Sequence, residues 1–454
     1  MKRSDLFFTA EEALLSGAGV WQGEGVSFDG VFTDTRLSAP GALFVALAGE
    51  RFDAHNFLDK AVASGAAALC VERSKAHLAP AGIPLLLTEN TLTAYQRLAA
   101  FHRKRFKDLT VFGITGSVGK TSVKEMLRAV CTAACGGDED QVLWTLENTN
   151  NQIGVPLNLF RLTSRHRYAV LEAGTNHFGE IAPLGCCIAP DVALVNSVAP
   201  CHLEFLRDLE GVAEEKSHIC DALSPDGTAV FPGECPQLEI LKKDVSAKVM
   251  LFGSEKGDVR CTYLGGTLKG GRVRLVFPDK QEVTFELPFS GAHQAMNAAA
   301  CACAAFAAGI APETIAKGLG NTLLPGGRNR IYRSGEITCI DDTYNANPVA
   351  VAAALKNLKE VAAPEKLVLL LGEMRELGAA APAAHQEIKD LAEELFPEAR
   401  KIYVGASFGE NALSDAAAAA CALEKILKDG DILFAKGSRG VGLEKALPPA
   451  DEVL

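Results

Sequence analysis

The stretch Leu109-Thr110-Val111-Phe112-Gly113-Ile114-Thr115-Gly116-Ser117-Val118-Gly119-Lys120-Thr121 decides how the rest of this chain is read. Residues 109–114 form a short apolar run that predicts a buried strand, and residues 122–134 predict a helix. A glycine-bearing turn between strand and helix aims backbone N–H groups and the positive helix end at one spot, which suits phosphate. Thr115, Gly116, Ser117, Val118 and Gly119 are therefore expected to wrap the phosphates of ATP. Lys120 would neutralise the β- and γ-phosphate oxygens, and Thr121 would offer its hydroxyl to Mg²⁺. The spacing departs from the common Gly-x-x-x-x-Gly-Lys pattern, because Ile114 stands where its first glycine belongs. A shorter Gly-x-x-Gly-Lys-Thr core remains.

Composition bounds what surrounds this loop. A chain of 454 residues exceeds what one hydrophobic core serves, so about two or three domains are expected. With 48% hydrophobic and 22% charged residues it has the balance of a globular protein that buries large cores. The net charge of -11, unrelieved by any long Lys/Arg run, argues against nucleic acid as a partner and requires a local positive pocket for any acidic substrate. No apolar stretch approaches the roughly 18 residues of a membrane span, and the first residues are too short in apolar character for a signal peptide, so a cytoplasmic location with no membrane insertion is expected; a monomer is expected separately. The 13 cysteines are scattered without CxxC pairs and read as reduced packing residues.

Ahead of the loop, Ala42-Leu43-Phe44-Val45-Ala46-Leu47 and Ala66-Ala67-Ala68-Leu69-Cys70-Val71 read as buried strands of a small α/β domain over residues 1–88. Residues 91–106 switch to helical spacing, and a boundary is placed just before them. Apolar runs at 168–171 and 192–195 end in polar residues, and in open parallel sheets sites gather at such carboxyl ends. The central domain, 89–323, with a parallel sheet of the P-loop ATPase kind, should carry the chemistry. After the joint Leu324-Pro325-Gly326-Gly327-Arg328, apolar runs at 367–371, 402–404 and 432–435 alternate with Ala-rich helical segments. That alternation predicts a Rossmann-like third domain over 324–454.

Polar clusters follow the loop in order: Asn148-Thr149-Asn150-Asn151-Gln152-Ile153-Gly154-Val155-Pro156, Glu172-Ala173-Gly174-Thr175-Asn176-His177, Asn196-Ser197-Val198-Ala199-Pro200-Cys201-His202, Lys216, His293 with Asn297, and Asp341-Asp342-Thr343-Tyr344-Asn345-Ala346-Asn347-Pro348. With them the chain resembles the Mur ligase family along nearly its whole length, and within it the branch that adds D-alanyl-D-alanine. The resemblance implies three α/β domains in series, for a UDP-sugar substrate, for ATP and for the incoming amine. The reaction it implies joins UDP-N-acetylmuramoyl-tripeptide to D-alanyl-D-alanine through an acyl phosphate.

The resemblance also implies roles. Glu172 and His202 would hold two Mg²⁺ together with Thr121 and with Lys216, the last carrying a CO₂-derived carbamate. An ammonium has donors and no acceptor, whereas a carbamate supplies anionic oxygens. His293 and Asn297 would lie beside the adenine, Arg328 would reach phosphate, and Asp341 or Asp342, with register favouring Asp342, would bind the ribose. Asn148, Thr149, Asn151, Asn176 and His177 would face the UDP substrate, and Asn345 and Asn347 the acceptor. Thr35 and Arg36, in Thr33-Asp34-Thr35-Arg36, and the segment Gly49-Glu50-Arg51-Phe52-Asp53-Ala54-His55 look like UDP-binding stretches. Two departures stand out: Glu147 replaces a family glycine ahead of Thr149, and Phe205-Leu206-Arg207-Asp208 replaces a small, Gly-containing run. A regulatory P-loop NTPase and a small-molecule kinase are the competing classes. A sister ligase adding a diamino acid would carry Asp-Asn-Pro-Arg, which is absent.

Overall fold

The computed structural model describes residues 5–49 and 52–453, so Glu50 and Arg51 of the candidate UDP-binding segment lie outside the described residues. Among these residues the strands form three main sheets and one small pair. The first sheet runs in the order Val20–Gln22, Leu85–Thr88, Ala68–Glu72, Leu43–Val45, Val31–Phe32, parallel except for Val20–Gln22. Its central strands are buried on both faces, which is why they read as unbroken apolar runs.

Helix Thr91–Arg103 joins this unit to the next. Asn90 caps it by accepting from the Thr93 N–H, and Tyr95, Leu98 and His102 are buried along one face. It ends before the expected Phe106 because Arg103 turns its guanidinium back onto the carbonyls of Phe106, Ile188 and Ala189.

The second sheet has nine strands and centres on Thr110–Thr115. Val142–Trp144, Tyr168–Glu172, Thr110–Thr115, Val192–Val195, Thr228–Pro232, Lys248–Gly253 and Val259–Thr267 run parallel. Gly270–Val276 and Glu282–Leu287 then add an antiparallel edge. The parallel central sheet expected from the sequence is present, and the antiparallel pair extends it at one edge. Strands 259–287 alternate exposed and buried residues, a period-2 pattern of a one-sided sheet, so they lack the apolar runs that marked 109–114, 168–171 and 192–195. Helix Ala292–Ala307 packs Ala298 to Ala305, Cys301 and Cys303 among them, against this sheet, all fully buried.

The third sheet runs Arg400–Val404, Leu367–Gly372, Ile432–Lys436, Ile337–Asp342, Arg330–Ser334, Glu452–Val453, parallel through its first four strands. The carboxyl ends of Leu367–Gly372, Ile432–Lys436 and Ile337–Asp342 lie side by side. All 13 cysteines are free thiols.

Candidate active site

A cavity of about 580 Å³ opens between the second and third units. The phosphate loop, the ends of Tyr168–Glu172 and Val192–Val195 and the start of helix Ala292–Ala307 form one wall. Arg328, Asp342 and Tyr344 to Asn347 form the other.

The loop is held in an open shape by Ser197. The Ser117 N–H donates to the Ser197 carbonyl at 2.9 Å and the Val118 N–H to the Ser197 hydroxyl at 2.9 Å. These two amides are therefore already engaged, and the donors facing the cavity are those that open helix Lys120–Ala134. That helix begins at Gly119 with φ 81 and no side-chain cap, leaving its first N–H groups for an anion. A side chain at Gly119 would meet Asn196 Nδ2 and Asn297 Oδ1, each 2.5 Å from an added Cβ, so the glycine is needed for the close approach of these amides. Lys120 lines the cavity with its ammonium donating to the Gly116 carbonyl at 2.7 Å.

Glu172 is 2% exposed and has no ion-pair partner among the described residues. It accepts from Thr121 Oγ1 at 3.0 Å and from Asn150 Nδ2 at 2.8 Å, while its N–H donates to Thr145 Oγ1. A buried carboxylate with only neutral donors is costly unless a cation joins it. Its oxygens and the Thr121 hydroxyl form the hard donor set that Mg²⁺ takes, so these residues fit the metal. Among the described residues no group of three or more His, Cys, Asp or Glu converges on one point, so further ligation must come from other donor types.

His202 sits on the cavity wall with φ 50. Its Nδ1 lies 3.0 Å from Glu376 of the third unit, whose carboxyl is held below its usual range by this hydrogen bond. Lys216 lies behind the wall, 2% exposed. Burial, with added repulsion from Lys120, pushes its ammonium down to about 8.

On the opposite wall Asp342 accepts from Lys436 Nζ at 2.5 Å and from the Asn329 N–H. Asp341 points the other way and is spent on the Thr343 N–H and hydroxyl, as alternation along a strand requires. The structure thus puts Asp342, and not Asp341, at the cavity. The Arg328 guanidinium stacks 3.7 Å from the Tyr344 ring centroid, with its Nε buried and unpartnered. Asn347 caps helix Pro348–Val361 through the Ala350 N–H, and Asn345 bonds the Ala346 N–H, yet both line the cavity.

Of the expected residues, Ser117, Val118, Gly119, Lys120, Thr121, Asn148, Glu172, Asn176, His202, His293, Asn297, Arg328, Asp342, Asn345 and Asn347 come together here. Others do not. Thr115 closes its strand and is fully buried, and Gly116 contributes only the carbonyl that meets Lys120. Thr149 donates to the Leu146 carbonyl and receives Asn158, and Asn151 accepts from the Ile153 and Gly154 N–H groups. These two side chains shape the turn rather than face the cavity. His177 packs its ring at a tilt against Phe205, centroids 4.1 Å apart, outside the wall. Thr35 and Arg36 belong to the first unit, where Arg36 pairs with Asp34 at 2.6 Å. Glu147, in the family's glycine position, keeps a left-handed φ of 47.

Family models for the Mur ligase middle domain match residues 114–305, and those for the Mur ligase glutamate ligase domain match residues 327–439. The UDP-N-acetylmuramoyl-tripeptide--D-alanyl-D-alanine ligase of Escherichia coli is 36% identical over 448 residues, 96% of each chain. The chain belongs to the Mur ligase family. Among solved structures, a crystal structure of MurF from Acinetobacter baumannii superposes with a TM-score of 0.87 at 31% identity, covering 97% of this chain and 98% of that one. MurF ligase from Thermotoga maritima in complex with ADP gives 0.80 at 26% identity, covering 92% and 95%.

For this Mur ligase, residues given no role from the sequence also line the cavity: Asn150, Asn196, Ser197, Gln294, Asn329, Glu376 and Lys436. Asn196 and Ser197 follow strand Val192–Val195 directly, in a polar cluster visible at its carboxyl end, but nothing local assigns them a task. Glu376 has no local signal, because its partner lies in another unit.

Proposed function

We propose that this Mur ligase joins D-alanyl-D-alanine to UDP-N-acetylmuramoyl-tripeptide at the expense of ATP. The observation that carries the reading is that one cavity has a phosphate loop on one wall and the Asp342 to Asn347 segment on the other. The name and the 36% identity of the Escherichia coli relative support the choice of substrates, and the ADP complex of the Thermotoga maritima neighbour supports the nucleotide.

In this reaction the terminal carboxylate of the tripeptide attacks the γ-phosphorus, ADP leaves and an acyl phosphate forms. The dipeptide amine then attacks the acyl carbon, and phosphate departs from the tetrahedral adduct. Carboxylate and triphosphate repel, so the chain must bring cations and donors to them. Lys120 and the open amides of its helix meet the β- and γ-phosphates, and Arg328, on the opposite wall, meets phosphate. Asp342 accepts from the ribose hydroxyls, with Lys436 fixing its orientation, and His293 and Asn297 flank the base. Asn148, Asn176 and His177 serve the UDP substrate, Thr35 and Arg36 its nucleotide end, and Asn345 and Asn347 the acceptor.

Thr121 and Glu172 would hold one Mg²⁺, and His202 with a carbamate on Lys216 a second; when bound, these ions neutralise the charge that develops on the transferring phosphoryl group. Burial favours the neutral amine of Lys216, the form that adds CO₂. The domain roles follow: residues 1–88 for the UDP substrate, 89–323 for ATP and 324–454 for the acceptor. Both walls come from one chain, so a monomer suffices, and we assign it to the cytoplasm; among the described residues no helix is long and apolar enough to cross a membrane.

Omitting ATP, UDP-muramoyl-tripeptide or D-alanyl-D-alanine in turn tests the assignment. Product and ADP should appear only with all three present. ADP release indifferent to the dipeptide would identify an NTPase, and a stable phosphorylated product a kinase.

A further inference from the structure

An imidazole binds a cation through one ring nitrogen, and which nitrogen keeps its lone pair is set by what holds the other. His202 therefore needs a partner before it is a defined ligand, and the central unit supplies none. It stands at the start of the short helix Leu203–Leu206 with a left-handed φ of 50, and its side chain caps nothing. Among the described residues the one bond to its ring crosses to the third unit, where Nδ1 lies 3.0 Å from Glu376 Oε2. Nε2 is left without a protein partner, on a residue that lines the cavity.

Glu376 reaches the ring from a loop that is pinned on both sides. The loop follows strand Leu367–Gly372, and Met374 and Leu377 sink into the core of the third unit at 1% and 7% exposure. The Met374 N–H donates to His385 Nε2 at 2.8 Å, and His385, wholly buried, donates from Nδ1 to the Ala381 carbonyl at 2.6 Å. Both nitrogens of that ring are spent on bracing backbone, which gives His385 a task away from the cavity. The Arg375 N–H is held by Ser438 Oγ at 2.9 Å. Between these anchors Glu376 takes a left-handed φ of 66. A Cβ on Gly378 would stand 3.9 Å from that of Glu204, so the two loops touch beyond the bond itself.

Stability does not account for this arrangement. The Glu376 side chain is 66% exposed, and so open an ion pair contributes little. Left-handed backbone is unfavourable for a residue with a side chain, and here it recurs on both partners. Strain on both sides of a weak contact points to a requirement of the site, and what the contact fixes is one ring at the cavity edge.

We infer that Glu376 is a positioning residue for the second cation: by accepting from Nδ1–H it holds His202 in the tautomer whose Nε2 lone pair is free for the metal. The inference rests on the assignment of His202 to that cation under the ligase reading above. Because Glu376 belongs to the third unit, the second cation site is complete only when the acceptor-binding unit stands against the ATP-binding unit.

The full chain carrying ¹⁵N-labelled histidine, at about pH 8 where neutral imidazole predominates, reads the tautomer by NMR without metal or turnover. Loss of the signals in His202→Gln assigns them. The unmodified chain should show His202 protonated on Nδ1, and Glu376→Ala should lose that preference. Glu376→Gln keeps an oxygen that accepts from Nδ1–H, so it should keep the tautomer. Mn²⁺ titrated into the ATP-saturated chain and followed by electron paramagnetic resonance gives the second readout. The part of the binding that His202→Gln removes should weaken about 10- to 100-fold in Glu376→Ala and stay within about 3-fold in Glu376→Gln. A proton on Nε2 in the unmodified chain, or equal losses in the Ala and Gln variants, would overturn the positioning role. Mn²⁺ binding indifferent to His202→Gln would remove the cation assignment and the inference with it. A chain that gives all the expected spectra yet fails to ligate would overturn only the ligase reading.

Discussion

Gly119→Ala offers a direct probe of how the phosphate loop is built. Gly119 has φ 81, a left-handed conformation that costs an L-residue roughly 1–2 kcal/mol. The new methyl would meet Asn196 Nδ2 and Asn297 Oδ1 at 2.5 Å, and both are side-chain ends that can swing away. Swinging breaks the Asn196–Asn297 bond of 3.0 Å and the Asn196 bond to the Val118 carbonyl of 2.9 Å, about 1 kcal/mol each. The sum is about 3–4 kcal/mol, most of it lost order at the nucleotide site. Gly136 supplies the control, since it shares a positive φ of 70 but an added Cβ there has nothing within 4 Å. Gly136→Ala should therefore show the backbone cost alone. Differential scanning fluorimetry should place the lowest unfolding transition of Gly119→Ala several degrees below that of Gly136→Ala, and calorimetry should show ATP affinity reduced at least about 10-fold only in the former. Equal behaviour of the two variants would refute the argument that the Asn196–Asn297 contact shapes the loop.

Two other predictions concern buried titratable groups. His102 is fully buried with Nδ1 unpartnered, and burial pushes it from 6.5 down to about 4. The unfolded chain then takes up a proton first, so stability should fall as pH drops from about 6.5 to about 4, by up to roughly 3 kcal/mol, and denaturant unfolding should show a shallower slope for His102→Phe. Lys216, if carbamylated as proposed, should give a carbamate carbon resonance when the protein is equilibrated with ¹³CO₂. Lys216→Met should lack that resonance and bind Mg²⁺ roughly 10- to 100-fold more weakly, and an unmodified chain without the resonance would remove the carbamate from the mechanism.

The sequence by itself determined whatever depends on neighbours along the chain. Thr110–Thr115, Tyr168–Glu172 and Ile432–Lys436 are buried on both faces and announce themselves as apolar runs, and the phosphate loop is a local turn whose glycines and following helix are contiguous. The carboxyl-end rule reached Glu172 for the same reason, whereas Asp342 was reached through the family resemblance. Only tertiary structure could show that Ser197 consumes the Ser117 and Val118 amides, that Thr149 and Asn151 are committed to their own turn, or that strands 259–287 extend the central sheet. It also decided that His202 meets Glu376 across more than 170 residues of chain, and that the loop after Leu367–Gly372 is tied to the loop after Ile432–Lys436 through Ser438. A hydrogen bond or an unpaired charge is a property of distances between groups, and for groups remote in sequence those distances are fixed by sheet order and packing.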